Sequence, residues 1–172
     1  MGTPALRIWP AVAHALLQGE QVVALLPAGA GVPPDRLWLL PTATGQSVEL
    51  LKPAYRRWAE TAEPSGTAPG WAEVVDVAEV DEPSVLDALD AKTVRSTADP
   101  AALLPARVLV LRVHQAHGPP SVAAAPGGVS IVEVEGLAAP GSTPGEPVLS
   151  DVAFEARRKG VEDSLSAARA SA

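Results

Sequence analysis

Apolar positions at Trp9, Val12, Ala13, Leu16 and Leu17 recur at i, i+3, i+4, i+7 and i+8, and this spacing predicts an amphipathic helix. Pro10 suits its first turn and Gly19 its end. The nearly unbroken apolar run from Gln21 to Leu26 predicts a short strand, and Arg36 to Leu40 predicts a second. The nine residues between them include Gly29, Gly31 and Pro33-Pro34, so the pair is expected to form a hairpin with a wide loop. Pro41-Thr42 closes the second strand. Lys52-Pro53 is expected to open a helix with Leu51, Tyr55 and Trp58 along one face.

Downstream, valines interleaved with acids predict a strand from Trp71 to Val80. Asp81-Glu82-Pro83 predicts the start of a short helix reaching Ala91, because acids and proline are both favoured in a first turn. Residues 92–106 carry no decisive pattern. Arg107 to His114 (RVLVLRVH) is the clearest strand and is expected near the centre of a sheet. Val129 to Val134 predicts another strand. Ser150 is placed to cap a last helix anchored by Val152, Phe154, Val161 and Leu165, with fraying expected at its SAARASA end. Segments 63–70, 116–127 and 136–147 are rich in Gly, Pro, Ser and Ala and are expected to be flexible. Nothing repeats. The expected fold is one α+β domain over residues 1–172, with a largely antiparallel or mixed sheet of about five strands and flanking helices.

Composition sharpens this picture. A chain of 172 residues can bury roughly 70% of the surface its unfolded form exposes. Cysteine is absent, which excludes a disulfide framework and thiolate metal sites. No apolar run reaches the ~18 residues of a membrane span, and the first residues, broken by Trp9-Pro10 and His14, are not read as a signal peptide. A cytoplasmic protein is expected. The eighteen prolines and the abundance of alanine suggest a high-GC bacterial source. Residues 1–70 balance five bases against five acids, so the net charge of −7 resides in the remainder. Trp71 to Ala91 alone holds seven acids and no base. Such a surface repels a phosphate backbone, which makes direct nucleic-acid binding an open question.

Several residues are candidates for chemistry, each with a structural reading beside it. Arg112 interrupts an apolar strand and needs a partner. That partner is expected to be an acid of 73–82, or else the side chain lies on an exposed face; the functional reading is a guanidinium for phosphate or carboxylate. Pro41, Thr42 and Gln46 could present a hydroxyl and an amide at a strand end, or satisfy turn and helix-start donors. His114 and His117 point to opposite faces if both lie on a strand, which disfavours a metal site, and His14 adds no third ligand. Asp35 followed by Asp90-Ala91-Lys92 matches the letters of a Mg²⁺-nuclease pattern, but Asp90 falls at a helix end. Lys52, Arg56 and Arg57 beside Tyr55 and Trp58 form a basic-aromatic patch that helical spacing leaves as a solvated face. Gly29 and Gly31 lack the Lys-Ser/Thr and following helix of a phosphate loop.

Several segments in order resemble a bacterial family known as domain of unknown function 1802: ALLQGEQ with QVVALL, RLWLLPT with Gln46 four residues after Thr42, LLKPAYRRW, WAEVVDV, VLVLRV with Arg112, and PVLSDVAFEARRK. The resemblance spans nearly the whole chain. It implies no particular activity or cofactor; the association of relatives with a restriction-endonuclease-type domain implies a link to DNA restriction. Pro27-Ala28-Gly29-Ala30 stands where relatives tend to carry an Arg-Lys-Gly-Gly-like loop, Gly45-Gln46 where they carry His-Gln, and Ser130-Ile131 where they carry Ser-Trp. These readings converge on a non-catalytic binding or accessory module, associated with a restriction or defence system through a protein partner. Its ligand site is expected at Pro41, Thr42, Gln46 and Arg112. The alternative is a metal-dependent hydrolase of nucleic acid using the acids of 73–82.

Overall fold

The computed structural model describes residues 2–43, 46–61, 66–123 and 129–171, with the side chains of 60 and 61 excepted. Seven strands form one mixed sheet: β1 (Thr3–Ile8), β2 (Val23–Pro27), β3 (Arg36–Pro41), β4 (Gly70–Val80), β5 (Ala106–Ala116), β6 (Ser130–Val134) and β7 (Gly145–Pro147). Their order is β2-β5-β4-β3-β1-β6, with β7 beside the end of β5. β1 and β3 run parallel, while the other pairs are antiparallel.

The sheet has more strands than the five expected, because β1 and the three-residue β7 were not anticipated. The hairpin expectation is also corrected. β2 pairs with β5, and β3 lies between β1 and β4, so the nine-residue loop joins strands that never meet. The clearest sequence strand is indeed internal, flanked by β4 on one side and by β2 and β7 on the other.

Strand alternation explains how the sheet curls. Leu6 and Ile8, Ala24 and Leu26, Leu37 and Leu39, Ala72, then Leu109, Leu111 and Val113 all enter one buried cluster, with Ile131 packed against it. Residues two apart share a face, so β1 to β6 turn their inner faces towards a common interior, as in an open barrel. Helix α1 (Pro10–Leu17) contributes Ala13, Leu16 and Leu17 to that interior and covers it. Gly19 ends α1 at φ +71°, and a Cβ there would approach the Leu149 side chain to 2.7 Å, so both the conformation and the space favour glycine.

Outward residues build separate layers. Val23, Val108 and Val110 pack with α3 (Pro83–Asp87) and α4 (Asp151–Ser171) through Val85, Leu86, Phe154, Val161 and Leu165. Ser150 Oγ accepts from the Ala153 N–H at 3.2 Å, as its predicted capping role requires. The helix continues through Ser171, across the segment where fraying was expected. Val152, expected to anchor it, is exposed. The predicted Lys52 helix is replaced by a 3₁₀ turn at Pro53–Tyr55 and a four-residue helix, α2 (Trp58–Thr61). The 3₁₀ turn Asp90–Lys92 completes what was expected as a helix to Ala91. Segment 136–147 is tied down where Trp38 Nε1 donates to the Ala138 carbonyl and Thr3 Oγ1 to that of Leu137. Residues 63–65 and 124–127 of the other two segments lie outside the described residues. Among the described residues no helix is long and apolar enough to cross a membrane.

Because Leu109 is fully buried in the shared interior, Leu109→Ala is expected to cost about 2–5 kcal/mol in urea unfolding. Val77→Ala, at a half-exposed site of β4, is expected to shift stability by no more than ~0.5 kcal/mol.

A candidate ligand cleft at the barrel seam

The two terminal strands of the sheet, β2 and β6, do not pair with each other. Where closure would occur there is a cleft of ≈ 420 Å³ lined by Trp9, Leu25, the Pro27-Ala28-Gly29 turn, Arg95, Leu103, Leu104 and Val129. It adjoins a smaller hollow of ≈ 20 Å³ bounded by Ile8, Val12, Gln21, Val23 and Thr93, and shares Trp9, Leu25, Arg95 and Val129 with it. The larger volume falls in the range of small-molecule pockets.

Among the described residues, Arg95 is the one charged side chain lining either space. Its guanidinium carbon stands 4.4 Å from the centroid of the Trp9 ring, a cation–π contact. Its Nε is buried and has no hydrogen-bond partner among the described residues. Burial pushes its pKa down from the ordinary arginine value, yet a guanidinium keeps its proton at any ordinary pH. A buried donor on a charged group without an acceptor is costly.

Gln21 holds this arrangement. Only 4% exposed, it donates from Nε2 to the Val23 carbonyl at 2.7 Å and accepts the Val94 N–H at Oε1 at 2.8 Å. One amide thus joins the edge of β2 to the segment carrying Arg95. The far side of that segment is fixed where Lys52 N–H donates to Val94 O and Ser96 N–H to Leu50 O. Thr93 Oγ1 donates to the Arg95 carbonyl at 2.8 Å. Asp90 anchors the turn beneath it: its Oδ1 accepts from Thr97 N–H and Oγ1 at 3.2 and 3.0 Å, and Lys52 Nζ lies 3.3 Å from Oδ2. Desolvation raises the Asp90 pKa, but the Thr97 hydrogen bonds and the bond and charge of Lys52 outweigh it and hold the group below the usual carboxylate range. The acid of the Asp-Ala-Lys pattern is therefore a structural anchor.

Pro41, Thr42 and Gln46 are brought together one step behind the cleft. Pro41 lies opposite Ile8, and Thr42 N–H donates to the Ile8 carbonyl at 2.8 Å. Gln46 Oε1 accepts the Ala11 N–H in the first turn of α1 at 3.3 Å, and its Nε2 donates to Ala59 O at 3.5 Å. They brace Ile8 to Ala11, the stretch that presents Trp9.

Arg112 lies elsewhere. It faces Glu73 across β4, and Glu73 faces Arg36 on β3. Arg36 and Pro41 are five residue steps apart on β3, roughly 17 Å along the strand. The acid it pairs with is Asp151 at the start of α4, outside the expected 73–82 window, and its guanidinium carbon is 5.7 Å from the Phe154 ring. Glu73 pairs with Arg36 at 2.9 Å, Asp76 with Arg158 at 2.7 Å and Glu79 with Arg107 at 2.6 Å, so these three acids of 73–82 each face an arginine. Among the described residues no three His, Asp or Glu side chains are placed to hold a metal ion. His114 stacks on Trp71 at 4.0 Å; burial lowers its pKa, Glu73 opposes that, and Arg112 and Arg36 add to it. His117 is 4.0 Å from Glu146. In the basic-aromatic patch, Lys52 is engaged by Asp90 and Arg56 Nε donates to Leu51 O.

Trp9, Gln21 and Arg95 were not singled out from the sequence as site residues. A polar residue opening an apolar strand was a usable signal for Gln21. Arg95 falls in the stretch 92–106, which has no periodicity to orient it.

An open mixed barrel with a guanidinium-bearing cleft in its seam is the class of architecture these features define. The chain belongs to the family described as Domain of unknown function (DUF1802), which it matches over residues 5–160. The crystal structure of ASCH from Zymomonas mobilis is similar in fold: TM-score 0.50 at 14% identity, covering 78% of this chain and 89% of that one. A single-substitution variant of that protein gives a TM-score of 0.46 at 17% identity, covering 69% of this chain and 73% of that one. No curated protein matches the chain.

Gln21→Leu leaves the Val94 N–H and the Val23 carbonyl unpaired. It is expected to cost on the order of 2–4 kcal/mol and to speed hydrogen exchange at the Val94 amide. Asp90 has a folded pKa below its unfolded value of about 4, so its stabilisation is present above that pH and is lost as pH falls through the folded value. In paired urea titrations, Asp90→Asn is expected to be less stable than wild type at pH 7, with the gap closing below about pH 4.

Proposed function

We propose that the protein is a non-catalytic binding module whose ligand is a small anion with an apolar or planar body, held in the seam cleft. The observation that carries this reading is the Arg95 guanidinium, stacked on Trp9 at the wall of an otherwise apolar cleft, with a buried Nε that has no partner among the described residues. Apolar walls favour the body of such a ligand, and the guanidinium favours its charge. Pro41, Thr42 and Gln46 enter the proposal as positioning residues, through the start of α1. Arg112 is assigned to the junction with α4.

The excess of acids supports a small ligand over a nucleic-acid backbone, which would need a row of free bases. The family resemblance supports a place for such a module beside a DNA restriction or defence system in the bacterial cytoplasm, with a protein partner there.

The cleft is tested by isothermal titration calorimetry with benzoate and adenosine monophosphate as probes, alongside Arg95→Gln and Arg112→Gln. At least one probe is expected to bind wild type. Arg95→Gln should weaken it about ten- to hundredfold, the worth of a hydrogen bond to a charged group, while Arg112→Gln should change it less than twofold. Equal loss in both variants, or binding indifferent to Arg95, would remove the cleft from consideration.

A further inference from the structure

The backbone of β2 supplies a second recognition element in the same cleft. Ala28 N–H donates to the Pro105 carbonyl and Leu111 N–H to that of Val22. In the register Val23↔Val110 to Pro27↔Ala106, these two bonds mark residues 22, 24, 26 and 28 as the ones whose peptide groups face β5. Antiparallel pairing alternates strictly, so Val23, Leu25 and Pro27 turn theirs away from β5. Two independent contacts agree: the Val23 carbonyl is taken by Gln21 and the Pro27 carbonyl by Ala30 N–H, at 2.7 and 2.9 Å. That leaves Leu25, whose N–H and C=O lie along an edge of a terminal strand that has no pairing strand among the described residues, at the wall of the cleft.

We infer that the ligand is the carboxyl end of a peptide in extended conformation, one of its residues pairing with Leu25 as an added strand and its terminal carboxylate meeting Arg95. This rests on the cleft reading above and narrows its ligand class. An edge residue offers one donor and one acceptor on the same side, the complement of a single extended residue. The walls at Ile8, Val12, Leu103, Leu104 and Val129 accept aliphatic side chains, and the single cation matches the single charge of a chain end. The volume suits a chain end and excludes a long segment.

The test uses the full chain and an N-acetylated Val-Leu-Val tripeptide with a free carboxylate. Its probes for comparison are the C-terminal amide, the analogue N-methylated at the middle residue, benzoate and adenosine monophosphate. Calorimetry should show the acid binding about ten- to hundredfold tighter than the amide, with the N-methyl analogue weakened as well. Hydrogen exchange should slow at the Leu25 amide when the tripeptide binds. Leu25→Pro removes that N–H without removing a ladder bond; it should lose the tripeptide. Tripeptide binding without protection at Leu25 overturns the strand pairing. Binding of benzoate or adenosine monophosphate through Arg95, with none of the tripeptide, overturns the peptide assignment and leaves the cleft standing. If no probe binds, both proposals fall.

Discussion

A single buried carboxamide governs the geometry of the seam. Gln21 satisfies a carbonyl on β2 and an N–H next to Arg95, and both would otherwise be stranded in an apolar interior. Because an amide carries a donor and an acceptor on a rigid plane, it fixes the separation of the two segments as well as joining them. An apolar residue could fill the volume, but the stretch 93–95 would then have no bond holding it over the β2 edge. The position of the Arg95 guanidinium follows from that bond, and the Trp9 ring gives it a surface to rest on.

The seam itself follows from chain order. β1 leads into α1, which covers the barrel interior, and the chain emerges as β2 at the opposite edge of the sheet from β6. The parallel pairing of β1 with β3 places β1 inside the sheet, so β6 becomes the terminal strand on that side. Closing the barrel would require β2 and β6 to share hydrogen bonds. Trp9, Val129 and the Arg95 segment occupy the approach instead, and a lined cleft stands in place of a ladder.

Much of this was legible in the sequence, and the failures have specific causes. β4, β5 and β6 were read from alternation and β-branched content, α1 and α4 from helical spacing, and the stop at Gly19 from its chemistry. The β2–β3 hairpin failed because pairing depends on distant partners: each strand is apolar on both faces and fits any neighbour in a covered sheet. β1 was missed because its six residues, TPALRI, lie against a helix start that dominates the pattern. The helix at Lys52 failed because Pro53 and crowded aromatics give two short turns, with Trp58 edge-on to His14. Of the candidate ligand residues, Pro41, Thr42 and Gln46 were found as a group because a strand end concentrates polar side chains. Their task of bracing Trp9 depends on an α1 contact no local pattern encodes. Arg112 drew attention by interrupting an apolar run, a signal that cannot tell an ion pair from a ligand site.

The recess of the β2 edge bears on how molecules of this protein meet one another. An open strand edge is ordinarily a template on which other sheets can grow, and an apolar edge such as Val-Ala-Leu-Leu would be a strong one. Here the edge lies at the wall of a narrow cleft under an indole, a guanidinium and a valine. The same walls that line the cleft therefore act as a guard on this edge, in the way a covering helix or loop blunts an edge strand elsewhere.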